Sequence, residues 1–370
     1  MILHSFLEEK DELIFVISLP KMTRRTALNL ISMFGTPAGV IEAISKCRVP
    51  SAFSQNLSEW LNAARKYRSG DSLSALKSKG IGAVVLGEDS YPKLLSELTD
   101  PPLILFFRGT LPASDSICIA VVGSRNPTPY GMEVSRKLGR ELAGAGICVV
   151  SGAALGIDSA AHAGALESRG FTVAVLGCGV DVVYPPVNRL LLADISKRGC
   201  LISEYPPGTK PEKFRFPERN RIIAGMCTGV VVVEAGKTSG ALITAEFALS
   251  ENREVFAVPG PIFSPKSAGT NLMIKSGAVP VTCTEDVLEG VGFSPNWVNL
   301  QGTVGLATKI SSLSEKELMV VEAIKAGYMY PEEISSVSSI ESRLVLSILS
   351  QLEVKGVVIR SGAGAYFARI

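Results

Sequence analysis

Residues 117–131 read ICIAVVGSRNPTPYG, and the fold follows from that stretch. Ile117–Val122 is apolar at every position, with no polar alternation, so it predicts a strand buried on both faces. Gly123 and Ser124 end the strand, and Met132–Ala143 continues at helical spacing. The same pattern recurs outward along the chain. Strands are expected at Ile147–Val150, Thr172–Leu176, Cys200–Ser203, Gly229–Val233, Glu254–Val258 and Ala278–Val281. Between them lie helical stretches at Ile157–Ser168, Val187–Lys197, Gly240–Ser250 and Thr270–Ser276. Alternation repeated this often means an α/β fold, a parallel sheet with helices on both faces.

The flanks differ in character. Residues 1–70 read as helical, with Ala27, Leu28, Leu30, Ile31 and Phe34 on one face. Residues 293–311 carry no sustained periodicity and read as a linker. From 312 to 370 three helical segments precede two short strands around Gly362–Gly364, the order of a winged helix-turn-helix. The expected domains are thus 1–70, 71–292 and 312–370, joined by that linker.

Of the 370 residues 46% are hydrophobic and 19% charged, so most of the chain should be compactly folded. Apolar runs fall far short of the ~18 residues a membrane span needs. Glu8 to Glu12 interrupt any signal-peptide core, so a cytoplasmic protein is expected. Seven scattered cysteines without a CxxC pair argue against disulfides or zinc. With only His4 and His162, a histidine metal centre is not expected either, and no cofactor is called for.

In an open parallel sheet, ligands sit beyond the carboxyl ends of the strands. Here those ends are built of small residues: Gly123-Ser124-Arg125, Ser151-Gly152-Ala153-Ala154, Gly177-Cys178-Gly179, and Thr238-Ser239-Gly240 after Glu234-Ala235-Gly236. Small residues let an anion approach the backbone, and Arg125 adds a guanidinium that can fork onto phosphate. Net charge is only +2, but positive charge concentrates at 208–221, GTKPEKFRFPERNR, with five cations against two glutamates. Phe214 and Phe216 interleave with those cations, a combination suited to stacking bases above a neutralised backbone. GKTSG at 236–240 lacks the first glycine of a P-loop, and no GxGxxG follows the first strand. Asp158 and His162, four apart on one helix, read as a local polar pair and not as catalytic groups.

Eight motifs in order now carry a resemblance. They are YPKLLSELTDPP (91–102), VVGSRNPTPYG (121–131), SGAALGIDSAAHAGAL (151–166), VAVLGCGVDVVYPPVN (173–188), ISEYPPG (202–208), FPERNRIIAG (216–225), VVVVEAGKTSGALITAEFAL (230–249) and VFAVPG (255–260). Over roughly residues 80–290 the chain resembles the DprA/Smf DNA-processing family. The resemblance implies a Rossmann-like core with an N-terminal helical domain, similar to SAM or helix-hairpin-helix modules, and a C-terminal winged helix. It implies a homodimeric, non-catalytic protein that binds single-stranded DNA and helps load the RecA recombinase in natural transformation. Carried over by motif, the nucleic-acid-binding residues are Arg125, Lys213, Phe216, Arg219, Asn220, Arg221, Ser239 and Gly240, beside Gly123, Ser124, Ser151 and Gly152 from the strand ends. Arg125 and Lys213 are phosphate contacts, and Phe216 is a base platform.

The chain also departs from that pattern. Its hairpin LPKMT (19–23) has Lys21 and Thr23 where the family's LPGIG has glycines, and Lys237 is not directly before the Ser-Gly pair. Residues 310–370 hold six Lys/Arg and seven Asp/Glu, which suits protein contact better than duplex reading. The rival reading is a nucleoside-phosphate-processing enzyme of the lysine decarboxylase-like Rossmann group. Those enzymes use PGGxGTxxE, but Leu242 and Ile243 stand in place of its GT pair.

Overall fold

A computed structural model of the chain describes residues 6–293 and, with short gaps, 313–368. The chain divides into two compact units, Met1–Ser294 and Pro295–Ile370. Apart from Phe293, the linker expected at 293–311 lies outside the described residues.

The first unit is built on nine strands: β1 (Gly82–Val85), β2 (Ile104–Gly109), β3 (Cys118–Val122), β4 (Cys148–Ser151), β5 (Thr172–Val175), β6 (Cys200–Ser203), β7 (Gly229–Val232), β8 (Glu254–Ala257) and β9 (Val279–Pro280). Their order is β1-β2-β6-β5-β4-β3-β7-β8-β9. The seven strands from β6 to β9 are parallel, as the alternating pattern requires. The parallel core expected from sequence carries an addition at one side. β1 and β2 join beside β6 as an antiparallel edge. Successive strands are added to one side of β3 as far as β6 and to its other side from β7, so the switch point that usually receives ligands lies between β3 and β7.

Burial of both faces explains why the strands read as continuous apolar runs. Ala120, Val122, Val150, Val173, Val175, Ile202, Val230 and Val232 share one core with Ile222, Ile223 and Ala245 of two covering helices. Ala174, Leu176 and Leu201 join a second core with Leu192 and Ile195. Each fully buried aliphatic side chain contributes about 1.5–3 kcal/mol, so both faces of the sheet must be covered. The helices Pro129–Gly144 and Ile157–Glu167 approach closely because Gly139 has no side chain; a Cβ there would strike the backbone of Ala161. Thr128 and Pro129 start the first of these helices, the Thr128 hydroxyl accepting from Gly131 N at 3.2 Å.

Helices Lys10–Ser18, Arg24–Phe34, Pro37–Ser45, Ser54–Lys66 and Asp71–Ser78 form the N-terminal part. Their core, centred on the fully buried Trp60, includes Val85, Ile104 and Phe106 of β1 and β2. The edge strands thus give these helices a wall to pack on. Lys21 adopts φ 57°, so the hairpin keeps the left-handed turn a glycine would take.

In the second unit, helices Glu315–Lys325, Pro331–Ser338 and Ser342–Val354 enclose a core of Val320, Ile334, Val345 and Leu349. Strands β10 (Val358–Arg360) and β11 (Tyr366–Ala368) pair antiparallel. The Gly362–Gly364 turn lies outside the described residues.

Among the described residues, no single helix is long and apolar enough to cross a membrane, and none of the His, Cys, Asp and Glu side chains group as a metal site would. The cysteines are all free; five are buried, Cys47 is exposed and Cys283 half-buried.

Candidate nucleic-acid interface

The crevice at the switch point is filled by the protein itself. Ser124 N donates to Glu234 O at 2.7 Å, and the Glu234 carboxylate accepts from both the backbone N (2.8 Å) and hydroxyl of Thr128. Gly123 lies against Ile157 and Glu234. The open pocket is therefore displaced to the ends of β4 and β5. It is lined by Arg125, Gly152 to Leu155, Leu176 to Cys178, Tyr184, Pro185, Phe216 and Arg219.

At its mouth three side chains stack. Arg125 Cζ lies 5.3 Å from the centre of the Phe216 ring. The Phe216 ring in turn stacks on Tyr184, with centroids 5.4 Å apart and planes inclined by 29°. A cation near an aromatic face is favourable by about 0.5–1 kcal/mol at exposed sites, so the stack holds together without ligand. Tyr184 is 38% exposed and presents a ring to solvent.

Beneath the mouth, Arg219 is only 3% exposed. Its Nη1 donates to Gly152 O at 2.8 Å and to Val175 O. Burial, partly offset by the nearby Asp158 charge, lowers its pKa to about 10. Asp158 accepts from Gly152 N at 3.1 Å and Ala154 N at 3.3 Å, and burial raises its pKa despite Arg219 and those bonds. Two opposite charges therefore grip the same loop from below. A Cβ on Gly152 would come within 2.5 Å of the Arg219 guanidinium, so a larger residue here would push that group off the carbonyls it binds.

Of the residues singled out from sequence, the pocket gathers Arg125, Gly152, Phe216 and Arg219. Ser151 is fully buried and donates to Val121 O at 2.7 Å. Lys213 stands exposed outside the pocket. Asn220 Nδ2 donates to Gly240 O at 3.3 Å, and Ser239 caps the helix Gly240–Ser250, so these three form a separate cluster. Arg221, expected beside the pocket, faces another hollow, where it pairs with Glu204. The basic stretch 208–221 is helical from Arg215 onward, where the helix Arg215–Gly225 begins. Arg215, Glu218 and Arg221, three apart, line one hollow, and Phe216 and Arg219 line the other. Leu155, Tyr184 and Pro185 were missed because they come from loops; the YPP run was the only signal for the last two.

The expected Asp158–His162 pair does not form. His162 is fully buried and lies 2.7 Å from the Thr172 hydroxyl, which itself donates to Val149 O. That hydroxyl must accept from His162 Nδ1–H, leaving Nε2 as an unpartnered acceptor. Burial lowers the histidine pKa to about 3. Among the pocket's walls, Cys178 is pushed up to about 11 by burial, far from a reactive thiolate at neutral pH.

Sequence comparison bears directly on this arrangement. The family described as DNA recombination-mediator protein A matches residues 82–292, the stretch that contains every strand of the sheet. The chain belongs to that family. It is 42% identical to the DNA processing protein DprA of Streptococcus pneumoniae over 68% of this chain and 85% of that one. The solved structure of DprA from Streptococcus pneumoniae matches with a TM-score of 0.63 at 35% identity, covering 75% of this chain and 97% of that chain. A Helicobacter pylori DNA processing protein A, whose structure was described for its single-stranded DNA binding mode, matches at 30% identity and a TM-score of 0.52. That match covers 56% of this chain and 94% of that chain. The Rossmann-like sheet is thus a property of the family, and the family is one of DNA recombination mediators.

Proposed function

We propose that this chain binds single-stranded DNA without strong sequence preference and serves as a recombination mediator that passes the strand to a RecA-type recombinase. The observation that carries this reading is the Arg125–Phe216–Tyr184 stack at the mouth of a pocket floored by glycine and alanine. Arg125 turns to a phosphate, and a base takes its place on Phe216 or stacks on Tyr184. Stacking of this kind is tolerant of sequence because every base has a π-face.

The reading is of a binding protein and not an enzyme, and the character of Cys178 and His162 supports it. A cytoplasmic protein acting in natural transformation fits the family. The apolar side chains of Ile262, Phe263 and Leu272, 81%, 92% and 55% exposed, offer a surface for a second copy. The second unit we assign as a winged helix used for protein contact, since Arg343 is the only cation on Ser342–Val354.

Equilibrium titration with matched single- and double-stranded oligonucleotides tests the proposal, unlabelled mononucleotide being added as competitor. Tighter binding to the single strand is expected, with weak competition. Equal or tighter duplex binding overturns it.

A further inference from the structure

The pocket at Arg125 is too small to hold a strand. Its volume of about 70 Å³ leaves room for one phosphate or the edge of one base, whereas sites that enclose whole small ligands measure ~300–1,000 Å³. A second hollow in the same unit has about 910 Å³. It lies between the hairpin at the start of Arg24–Phe34 and the chain at Glu204–Thr209.

The first turn of the helix Arg215–Gly225 divides the two hollows. Phe216 lines the first, while Phe214 and Arg215 line the second. Phe214 is 55% exposed, with the Arg215 guanidinium 5.3 Å from its ring centre and 5.2 Å from that of Tyr205. The ridge therefore repeats, on its other slope, the pairing of ring and guanidinium found at Phe216. Pro217 fits this turn because its missing N–H would have had no helical partner there.

Charge on the far wall suits a phosphate backbone. The floor is neutralised: Arg24 pairs with Asp100, and Arg221 with Glu204. The rim is not. Arg25 is exposed, and no ion pair is recorded for it among the described residues; Lys21 is exposed and reaches only Glu59, at 4.0 Å. Arg24 Nε is buried in this wall without a hydrogen-bond partner, although another nitrogen of the same group is engaged.

We infer that the single strand held at Arg125 continues over Phe214 into the groove faced by Lys21, Arg24 and Arg25, so that the N-terminal helices contact DNA through side chains. This rests on the single-strand reading above. It also gives a use to the hairpin whose glycines are lost: the left-handed turn survives at Lys21, and a cation replaces close backbone approach.

The test uses the full chain and two oligothymidylates of about four and sixteen nucleotides, the span of site sizes for single-strand binding modules. One variant combines Lys21→Asn with Arg25→Ala; asparagine tolerates the left-handed turn, and both positions are exposed. A second variant is Phe214→Ala. The double variant should bind the longer oligonucleotide several-fold more weakly, with a salt slope shallower by about 1.4, and the shorter one like the parent. Phe214→Ala should weaken the longer oligonucleotide alone, at unchanged slope. If both variants bind the longer oligonucleotide as the parent does, the groove is not part of the track; a protein occupant would give that result. If they weaken both oligonucleotides equally, the groove proposal also falls. Failure of the parent to bind either oligonucleotide would instead overturn the single-strand reading itself.

Discussion

The Arg125 guanidinium lies 5.3 Å from the centre of the Phe216 ring, so a cation read as a phosphate contact and a ring read as a base platform touch each other. Phe216 also bears on Gly177 and Tyr184. The two side chains are therefore coupled before DNA arrives. In the free protein, a cycle of Arg125→Ala, Phe216→Ala and the double variant should return a coupling of about 0.5–1 kcal/mol in chemical denaturation. Strict additivity would show that the contact contributes nothing.

Arg219 is expected to act on the fold. Arg219→Ala leaves Gly152 O and Val175 O without their donor and Asp158 without its facing cation. Loss of one member of a buried charged network costs about 3–5 kcal/mol, so the variant should melt well below the parent. Arg219→Lys keeps the charge without the two-pronged geometry and should fall between them. An alanine variant that melts like the parent but binds DNA with a shallower salt slope would make Arg219 a direct ligand.

His162 gives the stability a pH dependence of known sign. Its pKa is lowered from 6.5 to about 3 by burial, so the folded state favours the neutral ring. The contribution is complete above pH 6.5 and is lost as pH falls toward 3, at up to about 1.4 kcal/mol per pH unit. His162→Gln cannot titrate, and its stability should fall less steeply than the parent's over that range. Parallel stability profiles would contradict the assignment.

The central strands could be read because each is buried on both faces, and a run such as Val230–Val233 has no other use between two glycines. β1 and β2 escaped for different reasons: β1 is a four-residue edge strand, and β2, between β1 and β6, runs through Phe106, Phe107 and Arg108 without a β-branched stretch. The helix Arg215–Gly225 was hidden by Pro217 and by dense charge, both compatible with a first turn. Burial decided what sequence could not. Arg219 and Arg221 are two residues apart in one motif, yet the first points under the pocket and the second toward Glu204. Tyr184 joins Phe216 across 32 residues, a contact that only the tertiary fold creates.

The second unit should be dispensable for the strand. A chain ending at Ser294, where the first compact unit ends, is expected to keep most of its single-strand affinity. Fluorescence anisotropy with a labelled oligonucleotide measures this directly. A tenfold or larger loss, with the melting profile intact, would place part of the site in residues 295–370.

The most direct test is the salt dependence of single-strand binding for the parent, Arg125→Ala and Phe216→Ala, with folding checked by thermal melts. For the parent, log K against log salt should fall with a slope of roughly −2 to −3.5, as for 3–5 neutralised phosphates. Arg125→Ala should flatten that slope by about 0.7. Phe216→Ala should lose about 1–3 kcal/mol at unchanged slope. An affinity indifferent to salt, or an Arg125→Ala variant that binds like the parent, would contradict the assignment of this pocket to single-stranded DNA.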